Sequence, residues 1–291
     1  MVRDKEGLVV LLRDAYPSLS PELAKAARFL ADRPGEIAVS SMRALAARAG
    51  AKPPTLVRLA KSLGFAGWPA LRAVFLAELG GAAYASRAQA LQKRGGLDLA
   101  AGVFEAQRRD IDKTEAQSAQ VLPRVAALLH KARTVHVAGF RASYAIAFGF
   151  AYLYRLFRSS VTLVAAEGGT LEAQLRAIGP RDALVVVSFA PYSREARLAV
   201  ECAKRVRAKV VAITDSALAP IALEADETVL FSVTSPSFFP SIVGGVSVAE
   251  SLLGLIVARE GKGVVRRIES AERQLFESGT YEMATPSKRR K

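Results

Sequence analysis

Five short apolar runs in the second half of the chain constrain its fold most. They are TVHVAG at 134–139, VTLVAA at 161–166, ALVVVS at 183–188, KVVAIT at 209–214 and TVLFSV at 228–233. Helix-prone stretches at about 143–157, 170–178, 194–207 and 241–259 fill the intervals. Strands that are apolar throughout, separated by helices, predict a parallel sheet covered on both faces. The expectation for 121–280 is an α/β domain on a five-stranded parallel sheet. Such sheets bind ligands beyond the carboxyl ends of their strands. That rule singles out 139–143, 166–170, 188–193 and 214–216.

Two of these loops have the composition of an anion site. The first runs Gly139-Phe140-Arg141-Ala142-Ser143 and opens a helix; the third runs Ser188-Phe189-Ala190-Pro191-Tyr192-Ser193 and opens another. A helix N-terminus presents free N–H groups and partial positive charge. Serine hydroxyls add donors, and Arg141 and Arg194 add charge. The candidate effector-binding residues are therefore Gly139, Arg141, Ser143, Ser188, Tyr192, Ser193 and Arg194. In a simpler reading, Ser188 and Ser193 only cap the helix.

The first eighty residues are patterned differently. In SMRALAARAGAKPPTLVRLAKSLGF at 41–65, Met42, Leu45, Ala46 and Ala49 form one helical stripe, which Gly50 ends. Pro53 and Pro54 suit the start of a second helix. There Leu56, Leu59, Ala60 and Leu63 are expected inward, with Thr55, Arg58, Lys61 and Ser62 outward. This is a helix-turn-helix pattern with a polar, cationic second helix for a major groove. Arginine can chelate a guanine edge, and threonine can touch a thymine methyl or a phosphate. Further helices are expected at 3–16, at 21–33 behind the cap Ser20, and after Trp68-Pro69. The predicted organisation is a helix-turn-helix domain at 1–80, a helical linker at 81–120, an α/β domain at 121–280 and a basic tail at 281–291.

Charge follows this division. Residues 1–80 carry 12 basic and 7 acidic side chains, and 81–133 carry 9 and 5. Residues 134–280 are nearly balanced at 16 and 14, while the last eleven carry 4 and 1. A basic front half fits phosphate contacts on nucleic acid. Cys202 is the single cysteine, so no intramolecular disulfide can form. The longest apolar runs fall well short of the ~20 residues of a membrane span. VVLL at 9–12 is too short for a signal sequence. These features predict a cytoplasmic protein without a membrane partner.

LAARAGAKPPTLVRLAKSLGF followed by GWPALR resembles the DNA-binding domain of RpiR-family bacterial transcriptional regulators. The strand-rich part resembles the SIS (sugar isomerase) domain carried behind it in that family. The resemblance implies an all-α helix-turn-helix domain ahead of a flavodoxin-like α/β SIS domain. It implies double-stranded operator DNA and a small anionic effector as partners, in a homodimer or homotetramer. Separately, no Cys/His cluster has metal-ligand spacing, so neither metal nor cofactor is expected. Carried over, the recognition helix is 53–63, and Ser41, Lys52, Pro54, Thr55, Arg58 and Lys61 are the DNA-binding residues. Lys52 stands where the turn usually has serine. In the serine-rich SIS loop, Ser188 and Ser193 match the pattern, but Ala190 and Pro191 replace a serine and a glycine. Ser143 matches the first loop, where Arg141 stands in place of a glycine. These losses weaken a standard phosphate cradle, so a sugar acid or another anion is an alternative to a simple phosphosugar.

Two other readings compete. An isomerase needs a general base, for which Glu167, Glu195 and Glu250 are available, Glu167 being the best placed; His136 lies within a strand, where burial is its expected state. Alternatively, the α/β domain only dimerises. The stretch 143–157 holds Tyr144, Phe148, Phe150, Tyr152, Tyr154 and Phe157, too many aromatics for one buried stripe.

Overall fold

The computed structural model describes residues 11–12, 14–32, 37, 40–78, 84–92, 96–217 and 219–280. Most of the helix expected at 3–16, the Pro34-Gly35 break and the tail at 281–291 lie outside the described residues. In the N-terminal part the helices are α1 (Pro21–Asp32), α2 (Met42–Arg48), α3 (Pro53–Ser62) and α4 (Trp68–Glu78). They close on one core of Ala26, Ala27, Leu30, Leu45, Ala46, Leu56, Leu59, Ala60, Trp68 and Leu71.

Helices α2 and α3 each end on a glycine cap. Ser41 caps α2 by accepting from the Ala44 N–H at 3.2 Å. Gly50 ends the helix at φ 63°. The Ala51 N–H then reaches the Ala46 carbonyl and the Gly50 N–H the Ala47 carbonyl. This double bond is a Schellman closure, which needs a left-handed residue between its partners. Gly64 repeats it at φ 85°, with Phe65 donating to Ala60.

Helices α5 (Tyr84–Leu91) and α6 (Gly96–Ser118) connect this bundle to the second part. The C-terminal half of α6 is seated firmly. Asp110 accepts from the Ser232 hydroxyl at 2.7 Å, and the Thr114 hydroxyl accepts from the Ser232 N–H at 2.9 Å.

The second part opens with α7 (Leu122–Lys131) and continues as β1 (Val135–Gly139), α8 (Tyr144–Arg155), β2 (Val161–Val164), α9 (Leu171–Arg176) and β3 (Ala183–Val187). It is completed by α10 (Arg194–Arg205), β4 (Lys209–Thr214), β5 (Glu227–Leu230), α11 (Val243–Glu260) and α12 (Lys262–Glu277). All strand pairs are parallel, in the order β2-β1-β3-β4-β5. This is the flavodoxin-like order, with the chain reversing direction between β1 and β3.

Side chains alternate across the sheet. Val135, Val137, Val185, Val187, Val211 and Ile213 pack against α7, α8 and α11. Ala138, Leu184, Val186, Val210 and Ala212 pack against α9 and α10. The central strands β1 and β3 are buried at every position. Each fully buried valine contributes roughly 1.5–3 kcal/mol by area, so these layers dominate the stability of this part. Helix α12 was not expected from the sequence. It folds back so that Arg267 Nε donates to the Phe157 carbonyl at 2.6 Å.

Candidate functional site: a sheet-edge anion site and a helix-turn-helix face

Parallel β1 and β3 lie side by side, so the loops after them meet at one edge. Gly139 is required there by close approach. A Cβ at that position would lie 2.5 Å from the Ala147 Cβ and 2.7 Å from the Ser143 carbonyl oxygen. Glycine lets α8 start hard against the strand. Arg141, two residues on, adopts the left-handed conformation at φ 55°. The usual glycine at this position has a conformational reason, and arginine meets the same geometry with strain. Its guanidinium is exposed and lies 3.6 Å from Glu195, which ties the first loop to the first turn of α10. Ser143 is buried at the start of α8.

The third loop is partly self-satisfied. The Ser188 hydroxyl is buried and accepts from the Ser193 N–H at 3.4 Å. Ser193 caps α10, its hydroxyl oxygen accepting from the Ala196 N–H at 3.1 Å. The cap uses the Ser193 hydroxyl oxygen as acceptor and does not use its proton. The Ala190–Pro191 peptide is cis. Arg194 is exposed at the helix N-terminus.

Asp215 falls within the 214–216 loop that the strand-end rule singles out, but it is not among the candidate residues read from the sequence. It follows β4 and accepts from the Ala190 N–H at 3.4 Å. Burial pushes its carboxyl pKa up, against hydrogen bonds that favour the charged form. The Tyr192 hydroxyl is buried beside it without a well-formed hydrogen bond. Burial, and then the Asp215 carboxylate, push that phenol far above its ordinary range. A half-buried carboxyl beside the serine loop suits sugar hydroxyls and disfavours a phosphate at that spot. The anionic end of a ligand is better matched to Arg141 and Arg194.

Of the candidate bases, His136 and Glu167 both have partners of their own. His136 is buried, its Nδ1 is 2.7 Å from the Thr162 hydroxyl and its Nε2 is 3.4 Å from Asp182. Desolvation holds its pKa down, despite the Asp182 carboxylate. It is a satisfied core histidine. Glu167 is exposed at the rim and receives the Tyr144 hydroxyl at 3.4 Å. Among the described residues, no group of three or more His, Cys, Asp or Glu side chains is placed to hold a metal ion. No helix there is long and apolar enough to cross a membrane.

On the helix-turn-helix face, Pro54, Arg58 and Lys61 fall at i, i+4 and i+7 on the exposed side of α3, with Lys52 exposed just before it. Thr55 departs from the expected outward position. It is 1% exposed, and its hydroxyl donates to Glu22 Oε1 at 2.8 Å. Thr55 precedes Leu59 by four residues and so shares its inward stripe. Glu22 Oε2 accepts from Arg58 at 2.9 Å. The Thr55 hydroxyl bond, set against partial desolvation, and the Arg58 guanidinium hold the Glu22 carboxyl below its usual range. Ser41 is exposed at the start of α2.

Comparison with known proteins places both parts. Residues 6–80 match the model of the helix-turn-helix domain, rpiR family, and residues 128–257 match that of the SIS domain. Among solved structures, the sugar isomerase domain of an RpiR transcription factor from Sphaerobacter thermophilus is 24% identical. The alignment covers 60% of this chain and 98% of that one, with a TM-score of 0.57. The Vibrio vulnificus NanR protein complexed with ManNAc-6P is 18% identical over 96% of this chain and 100% of its own, with a TM-score of 0.59. No curated protein matches the chain.

Proposed function

The chain belongs to the RpiR family, and from that premise we propose that it is a DNA-binding transcriptional regulator whose SIS domain binds a small hydroxylated anion. The observation that carries this reading is the pairing, in one chain, of an exposed cationic α3 face with a sheet edge built for an anion. On α3, Lys52, Pro54, Arg58 and Lys61 address operator DNA, Arg58 and Lys61 from within the major groove. Thr55 acts one step back, fixing Glu22 and through it the Arg58 guanidinium.

At the sheet edge, Gly139 and Ser143 shape the first loop, while Ser188, Tyr192 and Ser193 shape the third. Arg141 and Arg194 supply charge to a phosphate or carboxylate. The chemistry matches a phosphosugar or a sugar acid. The NanR neighbour was solved with ManNAc-6P, which supports the phosphosugar class. The half-buried Asp215 beside the serine loop, and Pro191 in place of a backbone donor, support a ligand whose hydroxyls, not its anionic group, face that loop.

Replacing Ser188 and Ser193 together with alanine tests the assignment. The expected result is operator binding as in the parent chain with no response to a panel of phosphosugars and sugar acids. A double variant that still responds places the effector elsewhere.

A further inference from the structure

A cavity of about 530 Å³ lies between the helix-turn-helix part and the SIS edge. One wall is Ser41, Ala44 and Arg48, on one side of α2; the other includes Ser193, Arg194 and Arg197, on the first turns of α10. No acidic side chain lines it among the described residues. Arg48 and Arg197 each already have a partner, that of Arg197 being Glu201 one turn along its own helix. The cavity thus collects three guanidinium groups from two domains, a capping serine from each, and the N-terminus of a twelve-residue helix.

We infer that this cavity is where the anionic group of the effector bridges the two domains, so that effector and DNA compete for α2. The inference rests on the regulator reading above and extends it to the direction of control. A phosphate or carboxylate between the two walls makes charge-assisted hydrogen bonds to both. The same α2 edge is also the part of a helix-turn-helix that crosses the DNA backbone. Its Ser41 and Arg48 cannot serve the effector anion and a DNA phosphate at once. The effector therefore releases DNA, and the regulator is induced by ligand.

Inorganic phosphate is the probe, titrated calorimetrically into the full chain at ionic strength matched with chloride. Arg194→Gln and Arg48→Gln are each expected to weaken phosphate binding roughly tenfold, although they lie in different domains. Loss in Arg194→Gln with no change in Arg48→Gln overturns the bridge while leaving an effector site in the SIS domain. No change in either overturns the cavity as an anion site.

The DNA arm uses Ala44→Glu, which places a carboxylate inside the cavity from an exposed helix position. It is expected to lower affinity for DNA from upstream of the gene at least fivefold, and adding Arg194→Gln is expected to restore most of it. If the double variant binds as weakly as Ala44→Glu alone, the carboxylate acts on DNA directly and closure by α10 is refuted.

Discussion

The Thr55 hydroxyl donates to the Glu22 carboxylate at 2.8 Å, joining α3 to α1 across 33 residues of chain. The other oxygen of Glu22 takes Arg58. One carboxylate thus sets both the seat of the recognition helix and the pose of its central arginine. That separates two residues which helical periodicity alone puts on one DNA-facing side.

The separation is measurable. Arg58→Ala is expected to cost about 1–3 kcal/mol in specific operator binding with little change in thermal stability. Thr55→Val is expected to cost about 1 kcal/mol of stability, since it removes one hydrogen bond and leaves Glu22 to water. Its base preference should match the parent. Competition binding with base-substituted operators, run beside thermal melts, distinguishes the two. A changed base preference in Thr55→Val puts that side chain on DNA.

The first ligand loop carries its own strain. Arg141 holds φ 55°, a region that costs a side-chain-bearing residue roughly 1–2 kcal/mol. Arg141→Gly is expected to raise stability by about 1 kcal/mol while weakening effector binding. A melt and an effector titration on one preparation check both signs. A stabilised variant with full effector affinity removes Arg141 from the site.

Gly139 makes the opposite prediction. A methyl group there meets the Ala147 Cβ at 2.5 Å and backbone at 2.7 Å. Gly139→Ala is expected to destabilise by about 1–3 kcal/mol through overpacking and to lose effector response. Chemical denaturation reads the first and DNA release the second. Unchanged stability contradicts the close approach of α8.

Two carboxyls, the buried Asp182 and the half-buried Asp215, predict opposite pH effects. Burial would raise Asp182, but Arg133, the Gly179 N–H and His136 outweigh it and hold the pKa low. A depressed carboxylate contributes stability above its unfolded pKa and loses it as pH falls through the folded one. Asp215 is raised by burial. Between its unfolded and folded pKa values the folded state binds more protons, so this group costs stability as pH rises. Asp182→Asn should flatten the acid limb of a stability–pH curve. Asp215→Asn should raise stability at neutral pH and narrow its difference from the parent in acid. Matching curves for the two variants contradict the assignment.

The sheet was legible because β3 is apolar at every position and β1 at all but His136, a pattern that fits a doubly covered parallel sheet. The bundle was legible because Gly50 and Gly64 mark closures that local sequence dictates. What escaped depended on distant partners. Thr55 is polar, and only the placement of Glu22 across the bundle makes it a buried residue. Asp110 and Thr114 sit on a helix of mixed polarity, and their seats on Ser232 follow from a contact more than a hundred residues away. Helix α12 buries only Val264 fully, too thin a stripe to announce its packing. At the strand-end edge the rule singled out 214–216 as a loop, but no local pattern shows that the Asp215 carboxylate turns back to the Ala190 N–H. Of the aromatics on α8, Phe150 and Tyr154 are core, while Tyr144, Phe148 and Tyr152 stack along the other side with Phe148 and Tyr152 exposed.

The most direct test of the account is fluorescence anisotropy of labelled DNA from upstream of the gene. The full chain is titrated at two salt concentrations against scrambled competitor, with and without phosphosugars and sugar acids. The account predicts competitor-resistant binding that one ligand class weakens at least tenfold. Binding that is sequence-blind, erased by salt and indifferent to every ligand would contradict it.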